Sequence, residues 1–235
     1  MNNFAASTAR LLGAGLRALL VLTLVTGVVY PLAVTGIAQA LFSDKANGSE
    51  IRADGRVVGS SLIGQSYNQP LKKGQSIPDP DLTWFQGRPA NGLGTNSINT
   101  QYKLMLSGAT NLAADSGAVN GTCPAEPAGG TLCAQVLAAR AAVVKDNSVP
   151  GYTVTPAQVP ADAVTSSGSG LDPDISPAYA DLQVHRVAAR NHLPVAAVQK
   201  LVEDHTTGRT LGFIGEPRVN VLELNTALKA LTAKE

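Results

Sequence analysis

The stretch of this sequence closest to a phosphate-binding loop runs from Gly59 to Ser66 and reads Gly-Ser-Ser-Leu-Ile-Gly-Gln-Ser. A P-loop requires G-x-x-x-x-G-K-[ST], because the lysine reaches the β- and γ-phosphates. Gln65 stands where that lysine would be, so the motif lacks its cation. Taken alone, these residues favour a strand that ends in a polar turn over a nucleotide site.

The Ser/Gly-rich stretch at 165–170 is a second candidate for chemistry, since it could form an anion-binding backbone nest or expose Ser169 as a nucleophile. Its Gly-Ser-Gly sequence does not have the G-x-S-x-G spacing of a nucleophile elbow. Asp172 and Asp174 follow closely and would repel an anion. The stretch therefore favours a connecting loop that caps the next helix.

The histidines are His185, His192 and His205. His185 and His192 could share a helix face, but the boundary at Pro194 argues against a shared metal ion. Two acidic residues precede His205, yet adjacency in sequence does not position an acid–base pair. We predict no catalytic residue and no metal site. The alternative to a non-catalytic protein is a membrane-anchored periplasmic hydrolase that uses Ser169 or His205.

The chain has two cysteines, Cys123 and Cys133, with no C-x-x-C motif and no histidine nearby. A metal or redox pair is thereby disfavoured. In an oxidising compartment such a pair most simply closes a surface loop. We predict a disulfide.

All of these residues follow an uncharged run from Ala18 to Phe42, which would hold them at a membrane surface. As a helix it would be about 38 Å long at roughly 1.5 Å per residue, enough to cross a bilayer core of about 30 Å. Arg10 and Arg17 precede the run, and this bias favours a cytoplasmic N-terminus. The rest of the chain would then be periplasmic. We predict a single-pass protein of the inner (cell) membrane.

A secretory signal peptide is the competing interpretation of this run, because Ala38-Gln39-Ala40 fits an A-x-A cleavage pattern. The run is longer than a signal h-region of about 7–15 residues. Gly27, Pro31 and Gly36 are typical of spans that pack on other helices. A retained anchor is favoured, with residues 1–10 cytoplasmic, 11–42 as the anchor and 43–235 as one periplasmic domain.

Composition excludes some classes of function. The formal net charge is +1, and aromatic residues make up 4% of the chain, so neither a basic surface nor a base-stacking platform for nucleic acid is indicated. We predict no nucleic-acid partner.

The exported region is expected to be an α+β domain with early strands and loops and later helices. Asp54-Gly55 predicts a hairpin turn between strands at 50–52 and 56–59. Four helices are predicted after residue 130 from their apolar spacing and start signals. Those signals are a Thr131 cap, Ser176-Pro177, Pro194, and Asn220 with Glu223 three residues later.

The block from His205 to Asn225, His-Thr-Thr-Gly-Arg-Thr-Leu-Gly-Phe-Ile-Gly-Glu-Pro-Arg-Val-Asn-Val-Leu-Glu-Leu-Asn, closely resembles the KdpC family. This family is the C subunit of bacterial potassium-transporting P-type ATPases. Further similar motifs occur in order along the chain, at 30–39, 46–49, 59–65, 84–89, 107–112 and 164–177. At 107–112 the family more often reads Ser-Gly-Gly-Ser-Asn-Leu, so Ala109 and Thr110 differ. The cysteine loop is not associated with the family and is interpreted as a local elaboration.

The resemblance implies a non-catalytic assembly or regulatory subunit of an ATP-driven potassium uptake complex. Its implied partners are a channel-like potassium-translocating subunit and an ATP-hydrolysing P-type subunit, since this chain lacks the phosphorylation motif Asp-Lys-Thr-Gly-Thr. No tightly bound cofactor is expected, and ATP would come through the partner. Residues predicted to dock on partners lie in the anchor and in the C-terminal block: Gly27, Tyr30, Pro31, Thr35, Gly36, Arg209, Glu216, Pro217 and Arg218.

The family is described as a catalytic chaperone that raises the ATP affinity of the hydrolysing subunit, with nucleotide contact at Gly59, Ser60, Gly64 and Gln65. The arginine bias at the anchor conflicts with that contact, because ATP is cytoplasmic and the domain is predicted outside. A periplasmic domain could instead clamp the pump subunits together, or cover the channel entrance and attract K⁺ with its carboxylates.

Overall fold

The computed structural model describes residues 2–75, 78–89, 107, 112 and 116–233. The chain divides into two compact units, Met1–Ser49 and Glu50–Glu235. The first is helical, and the second combines helices with two small sheets, which confirms the predicted α+β class. Of the family-like motif at 107–112, only Ser107 and Leu112 lie within the described residues.

The first unit is built on a helix that continues through α1 (Asn2–Leu24), a π-helical turn (Val25–Val29) and α2 (Tyr30–Leu41), followed by the short α3 (Ser43–Ala46). The stretch Ala6–Leu41 is the one helix among the described residues long and apolar enough to cross a membrane by length and composition. None of its 36 residues is buried, and all but the half-buried Ala38 are exposed, as expected for a span rather than a core helix.

The π-helical turn has a local cause in Pro31. Proline has no N–H to donate, and its ring would clash with the carbonyl of residue i−4 in a regular α-helix. The wider turn relieves this conflict, and the Tyr30 N–H bonds to the Val25 carbonyl five residues back. The helix therefore passes Pro31 without breaking.

The second unit begins with an antiparallel hairpin of β1 (Glu50–Ala53) and β2 (Arg56–Ser60), as predicted. Asp54 and Gly55, between the strands, have φ values of +52° and +75°. A two-residue type I′ turn needs positive φ at both positions, which explains why Asp-Gly marks it in the sequence.

The four predicted helices are confirmed as α4 (Leu132–Asn147), α5 (Pro177–Asn191), α6 (Val195–Asp204) and α7 (Val221–Thr232). The hydroxyl of Thr131 accepts a hydrogen bond from the Ala134 N–H, and that of Ser176 from the Tyr179 N–H. Asn220 accepts from the Glu223 N–H in the same way. These caps satisfy backbone donors that have no partner inside the helix.

A second sheet lies among these helices and was not predicted. Its strands are β3 (Asp174–Ile175), β4 (Thr206–Thr207) and β5 (Arg218–Asn220), in the antiparallel order β3-β5-β4. Strands of two or three residues are too short to show a period-2 pattern. The core around this sheet is apolar and includes Phe85, Ile175, Val187, Val198, Val202, Val219, Leu224 and Leu228.

Candidate functional site

In the core of the second unit, the backbone segment Trp84–Gln86 lies outside the described helices and strands and is held by side chains. Asn225 of α7 accepts from the Phe85 N–H and donates to the Phe85 carbonyl, both at 2.9 Å. Gln183 of α5 makes the same pair of bonds with Gln86, at 2.7 and 3.0 Å. Both amides are fully buried, so they replace a sheet ladder at this point.

Arg186 of α5 extends this bracing. Its guanidinium donates to the Leu82 and Trp84 carbonyls and to the side chains of Asn147 and Gln183. All four acceptors are uncharged, and burial lowers the pKa of Arg186 to about 10. Such a buried cation fixes helices α4 and α5 to the 82–86 segment.

A cavity of about 310 Å³ lies beside this segment and is lined in part by Gln65, Arg88, Asp146, Tyr179 and Arg186. Arg88 is ion-paired with Asp172 at 2.9 Å. Burial raises the pKa of the Asp146 carboxyl and raises that of Tyr179 to about 12. Four of the guanidinium N–H groups of Arg186 already bond to neutral protein atoms. At this position the lining of the cavity therefore mainly stabilises the fold.

The residues of the P-loop-like stretch make internal contacts. The Gln65 side chain is buried and donates to the Val58 carbonyl at 3.0 Å. A Cβ on Gly64 would lie 2.5 Å from the Asp172 carbonyl oxygen, and one on Gly59 would lie 2.1 Å from the Gln65 amide nitrogen. The glycines therefore permit close packing.

Ser60 ends β2 within the same stretch. Its hydroxyl accepts from the Leu62 N–H at 3.1 Å. The backbone around it turns back so that the Ile63 N–H donates to the Ser60 carbonyl. This polar turn after a strand agrees with the interpretation that the residues alone favoured.

Ser169 and His205 take part in separate local structures. The Ser169 hydroxyl accepts from the Leu171 N–H at 3.1 Å, and Nδ1 of His205 lies 2.8 Å from the Leu201 carbonyl at the end of α6. His185 stacks on Tyr152 with ring centroids 3.8 Å apart. Among the described residues, no hydrogen bond joins Ser169 to a histidine, and no group of three metal-ligating side chains is found.

The predicted docking residues of the C-terminal block lie around the loop between β4 and β5. Arg209 and Glu216 form an ion pair at 2.7 Å across this loop. Arg218 pairs with Asp174 at 2.9 Å and so ties β5 to β3. Burial raises the pKa of Asp174 despite this cation. Pro217 is exposed immediately before β5.

The predicted docking residues of the anchor are all exposed: Gly27, Tyr30, Pro31, Thr35 and Gly36. No other atoms lie within 4 Å of where a Cβ on either glycine would sit, apart from the helix's own backbone. These positions remain available to another helix in the membrane.

Cys123 and Cys133 are bonded, with their Cα atoms 5.4 Å apart. Cys133 is buried in the first turn of α4, and Cys123 is exposed. The bond therefore fixes the 123–133 loop to the start of this helix.

Asn225, Gln183 and Arg186 were missed at the sequence level. A signal was present, because Gln183 and Arg186 interrupt the apolar positions of α5 and Asn225 follows Leu224 in an apolar helix. Polar residues at buried positions of a helix require hydrogen-bond partners. The sequence does not show that a backbone segment 97 to 140 residues earlier supplies them.

An exposed apolar helix long enough to cross a membrane, joined to an α+β unit, defines the class among the described residues: a protein with one candidate membrane span and a separate unit of helices and small sheets. The profile of the KdpC family, described as "K+-transporting ATPase, c chain", matches residues 12–230. The chain belongs to this family.

Relatives are similar over nearly the whole chain. A potassium-transporting ATPase KdpC subunit of Streptomyces avermitilis is 71% identical over 233 residues, covering 99% of both chains. The KdpC subunit of Gemmatimonas aurantiaca is 46% identical over 90% of this chain and 88% of its own. That of Mycobacterium tuberculosis H37Rv is 41% identical over 91% and 94%.

Proposed function

We propose that this chain is a non-catalytic assembly subunit of an ATP-driven potassium uptake complex. The observation that carries the proposal is family membership along residues 12–230 together with a helix able to span a membrane. The described contacts of Ser169 and His205 support a non-catalytic role, because each group is used in a local turn or helix end. ATP hydrolysis and ion translocation would belong to a P-type subunit and a channel-like subunit.

The proposed topology places residues 1–10 in the cytoplasm, 11–42 in the membrane and 43–235 on the extracytoplasmic (periplasmic) side. Arg10 and Arg17 support it by the positive-inside rule. The bonded pair Cys123–Cys133 supports it as well, since disulfides persist in oxidising compartments.

We propose that any effect of this chain on ATP affinity is transmitted through assembly and does not involve nucleotide contact at Gly59, Ser60, Gly64 and Gln65. Internal packing of these residues supports this proposal, as does the lysine position occupied by Gln65. Purified chain should show no saturable binding of a fluorescent ATP analogue. Binding that Gln65→Ala abolishes, with the fold retained, would refute it.

Charge pairing favours a clamp over attraction of K⁺. Many of the described carboxylates already have a cationic partner within 4.0 Å, namely Glu50, Asp54, Asp79, Asp172, Asp174, Asp204 and Glu216. A paired carboxylate contributes little field beyond the Debye length of about 8 Å at physiological salt. Neutralising the exposed members of this paired set should therefore leave apparent K⁺ affinity unchanged.

The proposal is tested by purifying the tagged full chain from its own membranes in mild detergent. A P-type ATPase subunit and a channel-like potassium subunit should co-purify, and their absence would overturn the proposal. For topology, Lys73→Cys should react with an impermeant maleimide in intact cells, whereas Ala6→Cys should react only after permeabilisation. The reverse pattern would refute the orientation.

A further inference from the structure

The loop between β4 and β5 carries a concentrated apolar surface. Leu211, Phe213 and Ile214 are 80%, 73% and 52% exposed within four consecutive residues. Exposed large apolar side chains elsewhere among the described residues of the second unit are isolated in sequence: Val57, Leu62, Leu71, Val119 and Val195. We call the three side chains the apolar tip. Clustered exposed apolar groups of this kind mark interaction sites, whereas isolated ones are ordinary.

The loop beneath the apolar tip is pre-organised. Thr210 and Ile214 exchange backbone hydrogen bonds of 2.9 and 3.0 Å, and the Gly212 N–H donates to the Arg209 carbonyl at 3.1 Å. Leu211 has a φ of +56°, a left-handed conformation that is uncommon for a leucine. Backbone strain of this kind is retained where the surrounding structure fixes it, and it clusters at binding sites. The apolar tip therefore has a fixed shape.

The surroundings of the apolar tip are electrically balanced. Arg209 is paired with Glu216, and Arg218, at the end of the loop, is paired with Asp174. Segments that attach to lipid surfaces combine apolar side chains with cations directed at anionic head groups. A fixed loop shape does not strengthen binding to a fluid bilayer. It does strengthen binding to a protein pocket, because a pre-organised loop loses less conformational entropy when it binds. Shape and charge together favour a protein partner over lipid.

We propose that the apolar tip inserts into an apolar pocket on another subunit of the transport complex, on the same side of the membrane as the second unit. This inference rests on the proposed function, since it requires a complex. It assigns to Leu211, Phe213 and Ile214 the contact itself. In this proposal the Arg209–Glu216 ion pair stabilises the conformation of the loop that binds the partner.

The test uses the tagged full chain expressed with its natural partners. Leu211→Asp and Phe213→Asp should each reduce retention of partner subunits in detergent by about tenfold or more, as for a central buried contact. Leu71→Asp is the matched control, because Leu71 is 56% exposed outside the tip, and it should retain them fully. Full retention by both tip variants would overturn the inference.

A photo-cross-linking amino acid at position 213 gives a readout that does not depend on the stability of a charged variant. It should form an adduct with another protein subunit, and the same group at position 71 should not. If partner subunits still co-purify but the adducts are with lipid alone, or no adduct forms, the inference is overturned. If wild-type chain brings down no pump subunit at all, the proposed function itself has failed.

Discussion

Replacing Asn225 by leucine should release the central 84–86 segment. The substitution removes both hydrogen bonds to Phe85 and leaves its N–H and carbonyl without partners in a fully buried position. Each unsatisfied buried group costs about 1–3 kcal/mol. Burial of the larger apolar side chain returns about 1–2 kcal/mol. Two such groups cost about 2–6 kcal/mol, so the expected net loss is centred on about 2–3 kcal/mol, a large part of a domain stability of about 5–15 kcal/mol.

The assay is urea unfolding of the full chain in detergent, followed by tryptophan fluorescence. Trp84 is the only tryptophan and lies directly beside Phe85, so it reports on the perturbed segment. With an m-value of about 2–3 kcal/mol per M urea, the midpoint should fall by about 1–2 M. Gln199→Met is the control, because Gln199 of α6 makes its bond to Asp181 on the surface. It should change the free energy of unfolding by less than about 0.5 kcal/mol.

A double-mutant cycle with Gln183→Met makes the prediction sharper. Gln183 holds the neighbouring Gln86 backbone, so both amides order the same short segment. Once one of these two side chains has been replaced, the segment is already less ordered, so the hydrogen bonds of the other side chain contribute less to stability. The two losses should therefore fall short of additivity by about 1 kcal/mol or more. Strict additivity, or a midpoint shift for Asn225→Leu no larger than that of the control, would refute the reasoning.

Three further outcomes are expected. Gly64→Ala should cost about 1–3 kcal/mol through overpacking against a carbonyl 2.5 Å away, while Gly87→Ala, with open space around it, should cost far less in the same urea assay. Replacing Cys123 and Cys133 by serine should cost about 3 kcal/mol by the loop-entropy relation, and a reducing agent should lower the thermal midpoint of wild type but not that of the variant. Asp146→Asn should stabilise the fold at neutral pH, because burial raises the folded-state pKa of Asp146 above its ordinary 3.8 and so penalises the ionised form. That gain should vanish as the pH falls below 3.8, where the carboxyl is protonated in both states, and an undiminished gain at low pH would contradict it.

Much of the fold follows from local signals. Capping residues, Asp-Gly and an uncharged apolar run act over a few neighbouring positions, so Thr131, Ser176, Asn220 and the 50–60 hairpin are predictable from the sequence. The second sheet is not, because its strands contain two or three residues each and are defined only by pairing between distant segments. The π-helical turn before Pro31 also needed the structure, since the sequence marks only a helix perturbation there.

The candidate sites divide in the same way. Motif order along the chain indicated the family, and with it the docking predictions at the anchor and at Arg209–Arg218, which remain predictions. Sequence alone also identified the candidate span, because the length of an apolar run compared with a bilayer needs no tertiary information. Only the tertiary structure decided that Gln65, Gln183 and Asn225 serve as internal braces. Asn225 reaches Phe85 across 140 positions and Gln183 reaches Gln86 across 97. The sequence shows that a side chain is polar, but its hydrogen-bond partner is determined by how the whole chain folds.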